Sequence, residues 1–264
     1  MVEAAERWRA ALGALAIPQS ILDGAPESPY GFPTALFRTS AAAARALDLP
    51  ARRRAVEALP DGGSVLDVGA GGGAASLALV PPAGRIIAVD PSEDLISAFT
   101  SAAGELDVSH HEVLGRWPDV APEVELADVV VCHHVFYNAP DLEDFAAELT
   151  DHAACRVVVE MTARHPMTEL NDLWRHFHHI ERPSQPTSQD AYAVLDAMGL
   201  EVRVEQSRRP SLWSGASRAE VIAFIRKRLC LTASHDSEIG ALIGDEATFG
   251  VRSVTTMWWD VSGG

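Results

Sequence analysis

The sequence predicts an α/β fold built on a parallel sheet, and three observations carry that reading. From Ser64 onward, short β-branched runs alternate with amphipathic stretches, the pattern of strand–helix–strand units with right-handed crossovers. Two runs, Asp128-Val129-Val130-Val131 and Val157-Val158-Val159, are continuously apolar, as strands covered on both faces tend to be. The run Ser64–Val68 leads into Gly69-Ala70-Gly71-Gly72-Gly73, a glycine turn between a strand and a helix.

In chain order, strands are predicted at Ser64–Val68, Arg85–Asp90, Asp107–Leu114, Ala127–Cys132 and Arg156–Met161. A sixth follows at Glu201–Gln206 and a seventh at Ser253–Asp260. Helices are predicted at Ala74–Leu79, Glu93–Ala103 and Asp141–His152, the last with Asp141 and Asp144 as an N-cap pair. Two more run over Pro166–His179 and Ser188–Met198. A long insert, about 208–251, separates the last two strands. It contains Ser217-Arg218-Ala219-Glu220, a capping box, and a helix whose Val221, Ile222, Ile225 and Leu229 share a face. Its basic end, Arg226-Lys227-Arg228, suits the helix dipole. Residues 1–60, rich in Ala and Leu and interrupted by the Pro26–Pro33 turn region, read as an N-terminal helical cap on a main domain spanning 61–264.

Composition sets the outer bounds. With 264 residues, 47% hydrophobic and 22% charged, the chain is of ordinary globular type. At that length it can hide roughly 70–75% of its unfolded surface. Its apolar stretches fall short of the ~20 residues of a membrane-spanning helix. Glu3 and Glu6 are wrong for a secretory signal, so a soluble cytoplasmic protein is expected. A net charge of −16 repels phosphate backbones and argues against nucleic acid as a partner. The densest basic run, Arg52-Arg53-Arg54, reads as a solvated helix end. Cys132, Cys155 and Cys230 are odd in number and lack metal-like spacing, so no disulfide framework is expected.

The glycine turn admits two ligands. Gly69-x-Gly71-x-x-Ala74 satisfies the dinucleotide fingerprint, which would take a pyrophosphate. Asp67, two residues ahead of the first glycine, opposes that anion and favours a ligand carrying an ammonium and a sulfonium. Asp90 ends the second strand, where a carboxylate accepts both ribose hydroxyls of an adenosine; its bland alternative is the cap of the helix near Glu93.

Taken together, Asp67-x-Gly69-x-Gly71-x-Gly73, Asp90, and the run Ala127-Asp128-Val129-Val130-Val131-Cys132-His133-His134-Val135-Phe136-Tyr137-Asn138 with Pro140-Asp141-Leu142 resemble the class I S-adenosylmethionine-dependent methyltransferases. The resemblance covers roughly Tyr30 to Glu160 plus the seventh-strand pattern. It implies a Rossmann-like seven-stranded sheet with an antiparallel last strand, and S-adenosylmethionine as cofactor. It further implies that Asp67 and the loop Gly69, Ala70, Gly71 and Gly73 hold the methionine part, and that Asp90 binds the ribose. Pro91 or Ser92 would lie beside the adenine. Where the family often shows Gly-Asp after strand three, this chain has Gly115-Arg116-Trp117 and lacks the acid; backbone N–H groups or stacking by Trp117 would substitute, and Arg116 and Trp117 join the cofactor-binding set. The backbone of His133 would meet the cofactor ammonium, while His134 and Tyr137 face the methyl group. Tyr30 joins the cofactor-binding set.

Methyl transfer needs nucleophile, methyl carbon and sulfur in line, so positioning supplies much of the catalysis. An oxygen or nitrogen acceptor also calls for a base. His133, His134, His165, His176, His178, His179, Glu160 and Tyr137 are candidates, and His134 leads because it ends a strand at the edge where such sheets bind ligands. Catechol-type relatives need acids where this chain has Cys132-His133 and Met161-Thr162, so no catalytic metal is expected. Tyr30, Phe32, Phe37, Trp174 and Trp213 are candidate walls for a small-molecule acceptor. The insert either closes over that acceptor or forms a homodimer surface. Competing readings are a NAD-dependent oxidoreductase and a non-catalytic binding protein on the same fold.

Overall fold

The computed structural model describes residues 2–31, 46–106, 108–211, 213, 215–244 and 250–261. Phe32, Phe37 and Asp107 lie outside them.

Seven strands form one sheet: β1 (Ser64–Val68), β2 (Arg85–Asp90), β3 (Ser109–Leu114), β4 (Ala127–His133), β5 (Ala153–Thr162), β6 (Arg203–Pro210) and β7 (Val251–Asp260). Their order is β3-β2-β1-β4-β5-β7-β6. β1 to β5 pair in parallel, and β7 runs antiparallel to both β5 and β6. The order turns outward in both directions from β1 and β4, which opens a crevice at their carboxyl ends.

Alternation along the central strands divides the core between the two faces. Leu66, Val130 and Val157 point to one side, where they meet α1 (Val2–Ala14), α5 (Leu142–Asp151) and α7 (Ser188–Ala197) through Trp8, Leu149 and Leu195. Val65, Val129 and Val158 point to the other, against Ala51 and Ala55 of α3 (Pro50–Ala58). α2 is the short turn Gln19–Leu22, and α4 (Glu93–Gly104) packs Phe99 and Ala103 over Ile86 and Ala88.

Several elements differ from the sequence reading, each for a local reason. Ala74–Leu79 is a series of turns ending in one 3-10 turn, Leu77–Leu79. Val80 precedes Pro81-Pro82, and a residue before proline avoids the α region. Pro166–His179 divides into a 3-10 turn, Pro166–Leu170, and α6 (Asn171–His178). Asp141 makes no side-chain cap; its carboxylate instead takes Arg9 Nε at 2.9 Å, while the Trp8 indole donates to the Ala139 carbonyl. Arg52-Arg53-Arg54 is not a solvated end but the docking face of α3. Arg53 and Arg54 clasp Glu205 of β6 at 2.8 and 2.9 Å, and Arg54 covers Trp258.

The insert carries α8 (Arg218–Arg228) and α9 (Asp236–Ile243), joined by Arg226 on Asp236. The Ser217–Glu220 capping box is present. Val221, Phe224, Ile225 and Leu229 pack on Leu170, Leu173 and Trp174 of the segment after β5, with Ile17 and Ile21 from the N-terminal region beside them. No helix among the described residues is long and apolar enough to cross a membrane.

Candidate active site

The crevice begins where β1 ends. Gly69 has φ +74°, and a Cβ there would meet Val135 Cγ2 at 2.3 Å, so a side chain is excluded twice over. The N–H groups of Gly69 and Ala70 both donate to the Val89 carbonyl, stitching the loop to β2. Gly71, at φ +54°, donates its N–H to Asp90 Oδ2 at 2.9 Å. Gly73 faces inward onto Leu77 and Phe99 and supports the loop from beneath.

The two aspartates have different tasks. Asp67 was placed beside the ligand by the sequence reading, but the structure sets it under the loop. It is buried, and its Oδ2 accepts from Ser76 Oγ and N–H at 2.5 and 3.2 Å. Burial pushes its pKa up to about 6 against those hydrogen bonds. Asp90 faces the crevice. Besides Gly71 it accepts the Ser92 N–H at 2.9 Å, leaving about two of a carboxylate's four lone-pair sites for a ligand. Burial raises its pKa as well. The cap of α4 is Ser92, so the bland reading of Asp90 does not hold.

One cavity of about 530 Å³ joins this loop to the far ends of β5, β6 and β7. Gly69, Ala70, Gly71, Asp90, Pro91, Arg116 and Trp117 line its first half. Trp117 is largely committed elsewhere, donating to the Phe145 carbonyl and meeting His152 edge-on. Tyr30 is exposed and outside the cavity wall, and Trp174 belongs to the core beneath the insert. His133, His134 and Tyr137 stand at the middle, and Thr162, His165, Arg209, Trp213, Arg228 and Arg252 form the far end.

The central groups are coupled. His134 sits at φ +61°, a conformation that non-glycine residues rarely adopt, and its N–H donates to the Glu160 carbonyl at 2.6 Å. Its Nε2 lies 3.2 Å from Glu160 Oε1, which also takes Arg209 Nη1 at 2.5 Å. Glu160 is fully buried. Burial alone would raise its pKa, but His134, His133 and Arg209 outweigh it and hold the carboxyl well below the usual range. Burial lowers His133 to about 4, so it is neutral at pH 7, and its buried Nε2 has no hydrogen-bond partner among the described residues. His165 is likewise lowered to about 4, first by burial and then by Arg182 and Arg228. Its Nδ1 accepts the Met167 N–H, which leaves the ring proton on Nε2. Tyr137 bonds to Thr162, and burial raises its phenol far above the ordinary value. Two further candidates face the insert: His176 pairs with Glu238 at 2.8 Å and His178 donates to the Leu229 carbonyl.

A family model described as a methyltransferase domain matches residues 39–205, more than half of the sequence. The chain belongs to that family. It is an S-adenosylmethionine-dependent methyltransferase. No curated protein matches the sequence. Solved structures share the fold. The YcgJ protein of Bacillus subtilis is 16% identical, over 81% of this chain and 99% of that one, with a TM-score of 0.50. Magnesium protoporphyrin IX methyltransferase from Synechocystis PCC 6803, solved with bound SAH, is 15% identical over 84% and 83%, with a TM-score of 0.50. A mycolic acid cyclopropane synthase complexed with SAH and CTAB is 15% identical over 79% and 82%, with a TM-score of 0.50.

The methyltransferase's cavity suits its cofactor on chemical grounds: a glycine cradle with no room for side chains, a carboxylate with open acceptor sites, and an orphan imidazole nitrogen. Sequence reasoning passed over Arg52, Arg209, Arg228 and Arg252, which all line the wall. A signal existed for two of them. Arg209 and Arg252 flank the long insert near its start and end, so any β6–β7 hairpin places them near each other.

Proposed function

We propose that this methyltransferase acts on a small molecule held between His134 and the far end of the cavity. The observation that carries this reading is the continuity of one cavity from the glycine loop and Asp90, past His134, to the segments that flank and form the insert. The strongly acidic chain speaks against a nucleic-acid acceptor.

When bound, the cofactor supplies a methyl group on a positively charged sulfur. Asp90 would accept the ribose hydroxyls, the backbone of Gly69, Ala70 and Gly71 would hold the amino-acid portion, and Pro91 and Arg116 would take the adenine. His133, kept neutral by burial, turns its unpaired Nε2 and its backbone toward the same ligand. His134 is the base. Its Nε2–H points to the ionised Glu160, so Nδ1 is the nitrogen that takes a proton from the acceptor as the new bond to carbon forms. Glu160 orients that ring and stabilises the imidazolium, and Arg209 keeps Glu160 charged.

Residues 1–60 and the insert at about 208–251 enclose the acceptor around the core of the 61–264 domain. Leu49 and Arg52 come to the wall from one side, Trp213 and Arg228 from the other. The apolar face of α8 is spent on an internal cluster, which favours a lid over a subunit interface.

Two measurements test the reading. Calorimetric titration should find S-adenosylmethionine and its demethylated product binding at micromolar level and NAD not binding. Transfer of a labelled methyl group into a small-metabolite library should then mark one compound class. Transfer only into RNA or protein would overturn the small-molecule assignment.

A further inference from the structure

We infer that His165 determines which molecules are methylated: its Nε2–H donates to a carbonyl oxygen carried by the methyl acceptor. The inference rests on the far half of the cavity being the acceptor site, as proposed above.

Tautomer is the first observation. The Met167 backbone N–H donates to His165 Nδ1 at 3.2 Å, and a main-chain N–H can only donate. Nδ1 is therefore the lone-pair nitrogen and the ring proton sits on Nε2. Among the described residues Nε2 has no hydrogen-bond partner. Burial, ahead of Arg182 and Arg228, keeps the ring uncharged at pH 7. With its one lone pair engaged, this histidine is no base for the reaction. It is a donor.

Rigidity is the second. His165 caps the 3-10 turn Pro166–Leu170. Its own N–H donates to the Pro186 carbonyl at 3.3 Å, and its carbonyl accepts the Thr168 N–H at 3.0 Å and Oγ1 at 2.8 Å. The ring meets Tyr137 edge-on with centroids 5.1 Å apart, and Tyr137 is in turn bonded to Thr162. Backbone and ring are thus both held before any ligand arrives, so binding pays little to order them.

Position is the third. His165 stands on the cavity wall with Met167, Trp213 and Val254, an apolar neighbourhood. Glu160 orients His134, while Thr162, two residues further along β5, anchors the tyrosine that packs on His165. One strand end therefore sets two imidazoles of opposite polarity at one cavity: His134 offers the lone pair of Nδ1, and His165 offers an N–H. A molecule that meets both brings an O–H or N–H to the first and a lone pair to the second. A carbonyl oxygen suits the second place because it has two lone pairs and no proton of its own to bury in an apolar wall. A ligand lacking that oxygen would leave the His165 N–H desolvated and unpaired.

The test uses the full-length protein with isotope-labelled histidine, saturated with S-adenosylhomocysteine. Long-range proton–nitrogen NMR spectra at pH 7 should show Nε2 of His165 protonated and Nδ1 bare. Two uncharged probes of one shape follow, acetophenone and α-methylstyrene, which differ by an oxygen in place of a CH₂ group. Acetophenone should bind about tenfold more tightly and shift the His165 Nε2 proton to lower field. His165→Asn and His165→Ser keep an oxygen for the Met167 N–H but lose the far edge of the ring. Each should erase the preference and leave S-adenosylhomocysteine affinity within about twofold. A preference that survives both substitutions would reduce His165 to a cap of its turn and overturn the inference. Equal binding of the two probes, or no binding of acetophenone, would overturn it on the unsubstituted chain alone, even where a variant fails to fold. Failure of S-adenosylhomocysteine itself to bind would defeat the reading of the site as a whole, a result visible before any probe is added.

Discussion

Glu160 holds His134 by two separate bonds: its carbonyl accepts the His134 N–H, and its Oε1 lies 3.2 Å from the ring Nε2. One residue of β5 therefore fixes both the left-handed turn that ends β4 and the direction of the imidazole on it. The carboxylate is entirely buried, so its charge depends on Arg209 and on the bond from His134.

Glu160→Gln should keep the fold and cost about 10²–10³ in methyl-transfer rate, since an amide orients the ring but does not stabilise the imidazolium. Cofactor affinity should stay within about twofold. Glu160→Leu removes the partner of a buried guanidinium and should lower stability by about 3–5 kcal/mol in urea unfolding. Equal rates for the parent and Glu160→Gln would remove His134 from the role of base.

Asp90→Ala should weaken S-adenosylmethionine by about 1–3 kcal/mol, because ribose hydroxyls lose a charged acceptor and Gly71 loses the group that positions it. Circular dichroism should be unchanged, as the carboxylate stands at a strand end. Titration of the folded variant decides it: undiminished affinity would reject the ribose assignment.

Two glycine substitutions should separate binding from folding. Gly71→Val adds a branched side chain on the cavity wall at φ +54° and should abolish cofactor binding with little loss of secondary structure. Gly69→Ala strikes Val135 and strains φ at the root of the loop, so its main effect should be a lower melting temperature.

Acidification should expose the buried histidines. His133 and His165 fall from 6.5 to about 4 in the folded chain, so between those values the unfolded state binds more protons and stability is lost as pH drops. Asp67 acts in the opposite sense. Its folded pKa of about 6 lies above the ordinary 3.8, so stability from this group is lost as pH rises through that window. Asp90 and Glu169 are also raised and share its sign. The histidines therefore act nearly unopposed only from pH 6.5 to 6. His165→Asn, whose amide oxygen can still accept the Met167 N–H, should be less pH-sensitive than the parent between pH 6.5 and 4. Denaturant midpoints at several pH values measure the difference, and parallel curves would show that His165 titrates normally.

The sheet and the glycine loop that opens the cavity were legible because their signals are local. Val129 to Val131 and Val157 to Val159 are buried on both faces and read as strands with no outside help. Asp90 and the loop are bonded to each other across only nineteen positions. The short helix after the loop was misread because apolar residues continue through Val80, where two prolines override them. β6 extends to Pro210 through Ser207-Arg208-Arg209, a polar edge strand without an apolar stripe to announce it. Asp67 was misassigned because a carboxylate under a loop and one above it look the same in sequence. Ser76, nine residues on, decides between them only when folded. Arg209, Arg228 and Arg252 were missed because each seemed to be one surface arginine among twenty.

The antiparallel course of β7 has an evolutionary corollary. A parallel strand brings its carboxyl end to the crevice, whereas β7 brings residues near its start, Arg252 and Val254, and runs through a buried middle to the exposed Asp260. Arg209, Trp213 and Arg228 arrive through the same stretch of chain, all beyond the last position of the shared methyltransferase domain at 205. On the reading proposed above, much of what would receive the acceptor is thus written downstream of what would bind the cofactor. Mutation can rewrite the one passage and leave the other intact. Exchanging residues 206–254 between two such enzymes is accordingly the economical route to a new substrate preference on an old catalytic frame.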